Sequence, residues 1–478
     1  MSRSINLLRA CRDIRRTQSL DREGLLAVQE QRWRGLLRHA LAASPFYRRR
    51  LAGLDPEHCA LSDIPPLTKA ELLAHWDDIV TDPRLHRAEL THYIEDPANW
   101  GRLFHGRWMV SESSGTSGSV VVFPQPVEAL DRMHAAHFVR RGATNHGTTF
   151  LPRWPLRARP TLVSIACVRG PCASSGIFLT RPWIASLFQH HHQLDASGSW
   201  TNLLESLNRI QPDIMNLFAS VLACLAQAQL AGDLHLDFSH PAASISTGGD
   251  TLTPGIRALC KEAFGIEPLN GYGATETMGL ARQWRGTDNL VLFEDLVAFE
   301  AVDVAERPVA EGELADHVLV TPLFNRDVPL LRYRLDDRVR PGPVQPGWPF
   351  RSLLEIGGRT AMTFVFRTPD SHLINGMDLM GSWYADPRLV YYQLRQLGPA
   401  EVRCSFIPRR GSDVAAITRE LSSHIRSILD QAGCHTVRCE AVPVDALDKH
   451  PRSGKIERYM PMDVDGRISA LASGERAY

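Results

Sequence analysis

The sequence predicts an α/β protein of more than one domain: a helical opening, a large α/β body and a small unit at the C-terminal end. Three observations carry this. The chain has 478 residues, beyond the roughly 250–300 at which a single hydrophobic core stops growing. Its hydrophobic share of 44% and charged share of 22% are those of a soluble globular protein. From about Trp108 onward, short β-branched runs alternate with helical stretches, the pattern of strands interleaved with helices.

Residues 1–90 read as helical and as part of the large body. Met1 to Arg16 alternates Arg with Leu and Ile, without an apolar secretion core or a small-residue cleavage site. This predicts a frayed helix and no signal peptide. Trp33, Leu36, Leu37, Ala40 and Leu41 form the stripe of an amphipathic helix, which Ser44-Pro45 ends. Thr68 and Glu71 have the spacing of a capping box. Between 91 and 358 lie the strand-like runs Val120 to Phe123 and Leu162 to Ile165. Ile214 to Leu230 reads as one buried helix, and a second helix opens at Thr253-Pro254 and stops at Gly265. Pro341 to Pro349 holds four prolines and two glycines and predicts a surface loop before a domain boundary. From 359 to 478 the pattern is strand (Glu401 to Ile407), helix (Ile417, Leu421, Ile425, Ile428 and Leu429 on one face, Gly433 as its stop), and strand (Thr436 to Val442). That is a small domain in its own right.

Composition also excludes functions. Lys and Arg number 53 and so do Asp and Glu, and no basic, aromatic-interleaved patch stands out, so nucleic acid is not an expected partner. No apolar run reaches the roughly 18 residues of a membrane span. The nine cysteines are scattered without zinc or thioredoxin spacing, which fits a reducing cytoplasm. His190, His191 and His192 are adjacent, and neighbours in a regular element cannot all face one ion, so they read as a surface run. Only four of the 53 basic residues are lysines: Lys69, Lys261, Lys449 and Lys455. Where Arg serves every generic purpose, a lysine marks a position that needs a compact ammonium.

Four segments hold the chemistry-bearing residues. Ser113-Ser114-Gly115-Thr116-Ser117-Gly118 alternates hydroxyls and glycines, offering N–H and O–H donors to phosphate oxygens. It is not a Walker loop, because no Gly-Lys-Ser/Thr follows. Asn270-Gly271-Tyr272-Gly273-Ala274-Thr275-Glu276 reads as turn-rich and supplies an aromatic face for a base and a carboxylate for Mg²⁺. Tyr333-Arg334-Leu335-Asp336-Asp337 adds a carboxylate suited to ribose hydroxyls. Pro451-Arg452-Ser453-Gly454-Lys455 presents one of the rare lysines on a loop.

In this order and spacing, these segments resemble the adenylate-forming superfamily of acyl-CoA synthetases, peptide-synthetase adenylation domains and luciferases, and most closely its phenylacetate-CoA ligase-like branch. The opening stretch from Gln31-Arg32-Trp33 through Ser44-Pro45-Phe46-Tyr47 to Pro65-Pro66-Leu67-Thr68-Lys69 is similar to that branch, so the resemblance spans nearly the whole chain. It implies a large ATP- and acyl-binding domain followed by a small mobile α+β domain. By motif match, Ser113, Ser114, Gly115, Thr116, Ser117 and Gly118 would wrap the pyrophosphate of ATP. Gly248, Gly249 and Asp250 would line the adenine and acyl pocket. Tyr272 would stack on adenine between Asn270 and Gly273, Thr275 would bond the phosphate, and Glu276 would help hold Mg²⁺. Asp337 would bind the ribose, Arg359 would lie near the hinge, and Lys455 would reach the carboxylate and α-phosphate as the catalytic cation. Leu162 to Cys167, Phe218 to Val221 and Ser246 to Gly249, all apolar or small, would wall an aromatic or aliphatic acid.

The implied activity is ATP-dependent, AMP-forming activation of a carboxylic acid and its transfer to coenzyme A. The alternatives are an amine or carrier-protein acceptor, or a nucleotide-binding regulator without turnover. Intact Glu276, Asp337 and Lys455 argue against the last. Two departures from the family stand out. Thr360-Ala361-Met362 replaces the usual acidic hinge pair, which predicts a slower acceptor step. No cysteine stands near Ala281 to Trp284 or Gln345 to Trp348, so no structural zinc is expected.

Overall fold

The computed structural model describes residues 3–113, 120–140, 159–168, 170–196, 198–240, 242–359, 363–366, 372–448 and 456–461. The described parts of 1–115, 120–194 and 269–357 form one compact unit, and those of 195–268 and 358–478 a second.

In the first unit, the N-terminal helices are built as their sequence signals direct. Arg22–Ala43 is capped by the Asp21 side chain and buries Leu25, Trp33, Leu36, Leu37 and Ala40. Ser44 accepts the N–H of Tyr47 and opens Pro45–Arg50. The Thr68–Glu71 box is formed in both directions. The expected fraying of the first helix gives way to packing: Arg3–Gln18 buries Ala10, Ile14 and Thr17, and Ala10 and Ile14 join a core with Leu130, Met133 and Phe293.

Buried charge pairs also join these helices to the rest of the unit. Asp295 and Arg140 are both fully buried and meet at 2.6 Å, and Thr17 Oγ1 donates to the same carboxylate oxygen at 2.6 Å. Next along the chain, fully buried Glu294 accepts from Arg22 Nη1 at 2.5 Å and from the Arg351 backbone N–H at 2.8 Å. Arg332, with positive φ of 47°, makes a two-pronged pair with Glu300 and also donates to the carbonyls of Ser62 and Ile64.

Three antiparallel strands, Leu103–Phe104, Trp108–Glu112 and Val122–Pro126, form one small sheet. Val297–Val302, His317–Pro322 and Tyr333–Leu335 form another. A larger array runs in the order Asp337–Val344, Arg351–Arg359, Leu290–Leu292, Met278–Gln283, Leu269–Ala274. The first of these extends into the proline-rich run read as a loop. It is an edge strand, where a proline removes no ladder hydrogen bond, so only the turn from 345 to 350 remains loop.

In the second unit, Ile214–Leu217 is a strand parallel to Ser244–Gly248, and the helix begins only at Ala219–Ala231. The single helix expected over this run is therefore a strand followed by a helix. Pro254–Phe264 is capped by Thr253 and ends at Gly265 with φ 73°, as read from sequence. Gly255 is required there: a Cβ would stand 2.2 Å from the Leu389 carbonyl oxygen. A four-stranded sheet in the order Arg438–Pro443, Glu401–Pro408, Leu389–Gly398, Tyr459–Met460 packs with helix Val414–Gln431 around Leu394, Val402, Phe406, Ile417, Leu421 and Ile425. His190–Asp195, in the first unit, is a strand whose histidines alternate between exposed and half-buried. Among the described residues no cluster of His, Cys, Asp and Glu is placed to hold a metal, and no helix is long and apolar enough to cross a membrane.

Candidate active site

The segment read as turn-rich is a hairpin. Leu269–Ala274 pairs antiparallel with Met278–Gln283, with a register shift at Tyr272/Gly273. The turn itself is confined to Thr275, Glu276 and Thr277, closed by Thr277 N–H to the Ala274 carbonyl at 3.2 Å. Two features make it tight. A Cβ at Gly273 would lie 2.1 Å from the Met278 carbonyl oxygen, so no other residue fits. Met278 takes φ 67°, a left-handed backbone that costs a side chain energy and persists only where neighbours fix it.

Gln125 supplies that fixing. Its Nε2 donates to the carbonyls of Thr275 and Glu276 at 3.3 and 3.1 Å, and its Oε1 accepts from Asn325 Nδ2 at 3.2 Å. Gln125 is 2% exposed. A buried amide with both ends engaged holds the backbone of Thr275 and Glu276 in place.

Tyr272 and Asp337, 65 positions apart, come together: the tyrosine hydroxyl donates to Asp337 Oδ2 at 2.8 Å. The ring is buried and packs edge-on to Phe299. Asp337 is 6% exposed, whereas Asp336 is exposed and paired with Arg334 at 2.9 Å. Opposite Gly271 in the hairpin stands Arg282, whose guanidinium is pulled down to about 10, first by burial and then by Arg285. It places positive charge along the same hairpin.

Ser113 closes the base of the hydroxyl-rich loop. Its N–H donates to the Val121 carbonyl at 2.9 Å and its Oγ accepts from Val121 N–H at 3.0 Å. Ser114 through Gly118 lie outside the described residues, as do Lys455 and Thr360 to Met362. Arg359 ends the strand Arg351–Arg359.

In the second unit, Gly248 ends its strand and Gly249 has φ 81°. The Asp250 carboxylate accepts the N–H groups of Ala219 and Ser220 at 2.6 and 3.0 Å. It thus satisfies the open N-terminus of helix Ala219–Ala231, which has no side-chain cap of its own. Toward the C-terminal end, Gln393 Nε2 donates to the carbonyls of Asp448 and Glu457 at 3.1 and 2.9 Å. The two ends of the stretch carrying Lys455 are therefore held by one side chain. Arg458 follows, donating to the Tyr392 hydroxyl at 3.2 Å.

Sequence reasoning missed Gln125, Arg282 and Gln393. The first two lie next to motifs in space, and Gln393 only in the sheet, so none carries a local signal.

If Asp337 grips a nucleotide ribose, Asp337→Ala weakens ATP about ten-fold or more, the loss of a charged hydrogen-bond partner. Asp336→Ala leaves it within two-fold by the same titration, as expected of an exposed pair. The reverse result would move the role to Asp336.

No protein-family model matches the chain, and no curated protein matches it. Solved structures do. 2-Hydroxyisobutyryl-CoA ligase in the post-adenylation state with R3-HIB-AMP aligns over 96% of this chain and 94% of its own, at 16% identity and TM-score 0.67. The same ligase with 2-HIB-AMP in that state gives 17% identity and TM-score 0.67 over the same shares. Its complex with 2-HIB-AMP and CoA in the thioesterification state gives 17% and 0.56, again over 96% and 94%. The chain has the fold of the adenylate-forming acyl-CoA ligases.

Proposed function

We propose that the chain is an AMP-forming ligase of the phenylacetate-CoA ligase-like branch, using ATP and Mg²⁺ to activate an aromatic or aliphatic carboxylic acid and passing the acyl group to coenzyme A. The observation that carries this reading is the Tyr272–Asp337 bond beside the braced Thr275–Glu276 turn, on a fold shared with an acyl-CoA ligase over nearly its whole length.

The residues fit the nucleotide and its metal. A hydroxyl and a carboxylate stand side by side on a turn fixed from behind, and a carboxylate oxygen is the hard ligand that Mg²⁺ prefers. When bound, the ion would offset the charge of the phosphates. Asp337 would orient the ribose, Thr275 would hold a phosphate oxygen, and Ser113 would keep the hydroxyl loop closed at its base, with Ser114 through Gly118 around the pyrophosphate. Lys455, in a small domain comprising residues 359–478, would hold the substrate carboxylate against the α-phosphate. A carboxylate oxygen then attacks the α-phosphorus, the bond to the β-phosphate oxygen breaks, and pyrophosphate leaves. Two anions meet in this step, so a positioned cation lowers its barrier directly. In the second step the CoA thiolate attacks the acyl carbon and AMP departs.

The test is a pyrophosphate-release screen over a panel of carboxylic acids with ATP and Mg²⁺, repeated with and without CoA, with products separated by mass. Acid-dependent pyrophosphate and a thioester are the expected products, the thioester forming more slowly because of the altered hinge. AMP with no thioester, but an amide when an amine is supplied, would reassign the acceptor. Absence of acid-dependent release across the panel would overturn the reading.

A further inference from the structure

Away from the hairpin, the first unit contains a cavity of about 470 Å³ between helices Arg22–Ala43 and Val127–Val139 and the loop at Phe324. That volume is within the ~300–1,000 Å³ of small-ligand sites, but its lining is unusual for one. Arg32, Arg38, Arg132 and Arg326 face it against a single acidic residue, Glu128.

These arginines are not all consumed by internal pairing. Arg32 Nη2 reaches both Asp13 oxygens at 2.8 and 2.7 Å, and Arg132 shares the second at 2.8 Å. With Arg16 at 3.3 Å, one carboxylate thus serves three guanidinium groups, Arg32 Nη1 also donates to the Asp295 carbonyl at 2.6 Å, and Arg32 and Arg132 both stand over the Phe324 ring, at 4.9 and 3.9 Å from its centroid. Arg38 has only exposed Glu57, at 2.8 Å. Glu128 is 3.9 Å from Arg107. Among the described residues the exposed Arg326 guanidinium has no hydrogen-bonding or ionic partner. Two guanidinium groups are pre-oriented on a ring, and two more are free or weakly held at the rim.

Gly35 sharpens the point. Glycine in the middle of a helix is destabilising relative to alanine, and nothing in the backbone here requires it. A Cβ at this position would stand 3.7 Å from Arg326 Nη2, an ordinary contact. What glycine preserves is the open space in front of the arginines.

We propose that this cavity binds a compact phosphate polyanion, held by forked guanidinium contacts from Arg38, Arg132 and Arg326. Guanidinium groups match phosphate oxygens in pairs, and the one aromatic ring of the lining, Phe324, is already faced by Arg32 and Arg132. The anion comes either as free pyrophosphate or as the bisphosphate part of a nucleotide. The wall that bears Phe324 and Arg326 also contains Asn325, which donates to Gln125 at 3.2 Å, so the bound anion rests on the loop that supports the Thr275–Glu276 turn.

Hydrogen–deuterium exchange of the full chain locates binding by segment and separates this site from the hairpin. With inorganic pyrophosphate or adenosine 3′,5′-bisphosphate, against KCl at matched ionic strength, exchange is expected to slow in 31–38, 128–133 and 323–327. Protection by pyrophosphate alone identifies the free anion as the ligand, and protection by the bisphosphate alone the nucleotide-borne group. In Arg38→Ala/Arg326→Ala, both exposed positions, the concentration needed should rise about ten-fold or more. Gly35→Leu keeps every charge and fills the space, and should abolish the protection. No protection by either anion, or equal protection in both variants, overturns the proposal whether or not the chain is a ligase.

Discussion

Lys455→Ala is expected to cut acid-dependent pyrophosphate release by about 100-fold or more, with ATP affinity nearly unchanged. The asymmetry follows from when the charge is needed. In the proposed reaction, bound ATP would keep other contacts along its phosphates and ribose, whereas the approach of a carboxylate to the α-phosphorus would bring two anions together only at the transition state. Lys455→Arg tests the same point differently. It retains the charge but spreads it over a planar fork, so it should recover only part of the rate. Pyrophosphate release and nucleotide titration on the same preparations decide between the outcomes. Full activity in Lys455→Ala would remove this loop from the reaction, and parallel loss of ATP affinity would make the lysine a binding residue.

The largest effect on stability is expected at Asp295. Removing its carboxylate strands the fully buried Arg140 guanidinium, which meets it at 2.6 Å, and such breaks cost about 3–5 kcal/mol. Arg140 also lies over the Phe293 and Phe350 rings, so the site is walled by apolar groups that cannot take over the charge. Denaturant unfolding of Asp295→Ala and of the double variant Arg140→Met/Asp295→Leu separates pairing from mere burial. The double variant, which removes both charges, should be more stable than the single one. If the single variant is no less stable than the exposed control Glu57→Ala, the pair is not what fastens the first helix.

Much of the fold was legible because its signals are local. Thr68 with Glu71, Thr253-Pro254 with Gly265, and the apolar face from Ile417 to Leu429 each state a helix within a few residues. Within the candidate site, motif and geometry coincide at one point: Tyr272 and Asp337, singled out separately, are hydrogen-bonded. Reading failed where sheets decide. Ile214–Leu217 is apolar like the helix after it, and only its parallel partner Ser244–Gly248 makes it a strand, because short apolar runs suit either state. The prolines after 340 pass into a strand because that strand lies at an edge. The resemblance implies a pocket place for Asp250. Its carboxylate also caps a helix 30 residues earlier in the chain, a relation no window along the sequence contains.

The single amide of Gln393, bonded to the carbonyls of Asp448 and Glu457, closes a ring of chain between those two positions. Closing such a ring costs entropy that grows only with the logarithm of its length, about 0.6 kcal/mol for a doubling. Insertions and substitutions between the two anchor points are therefore expected to cost the sheet little. If Lys455 serves the proposed reaction, the residues flanking it could differ between acids and acceptors at little cost to the stability of the sheet.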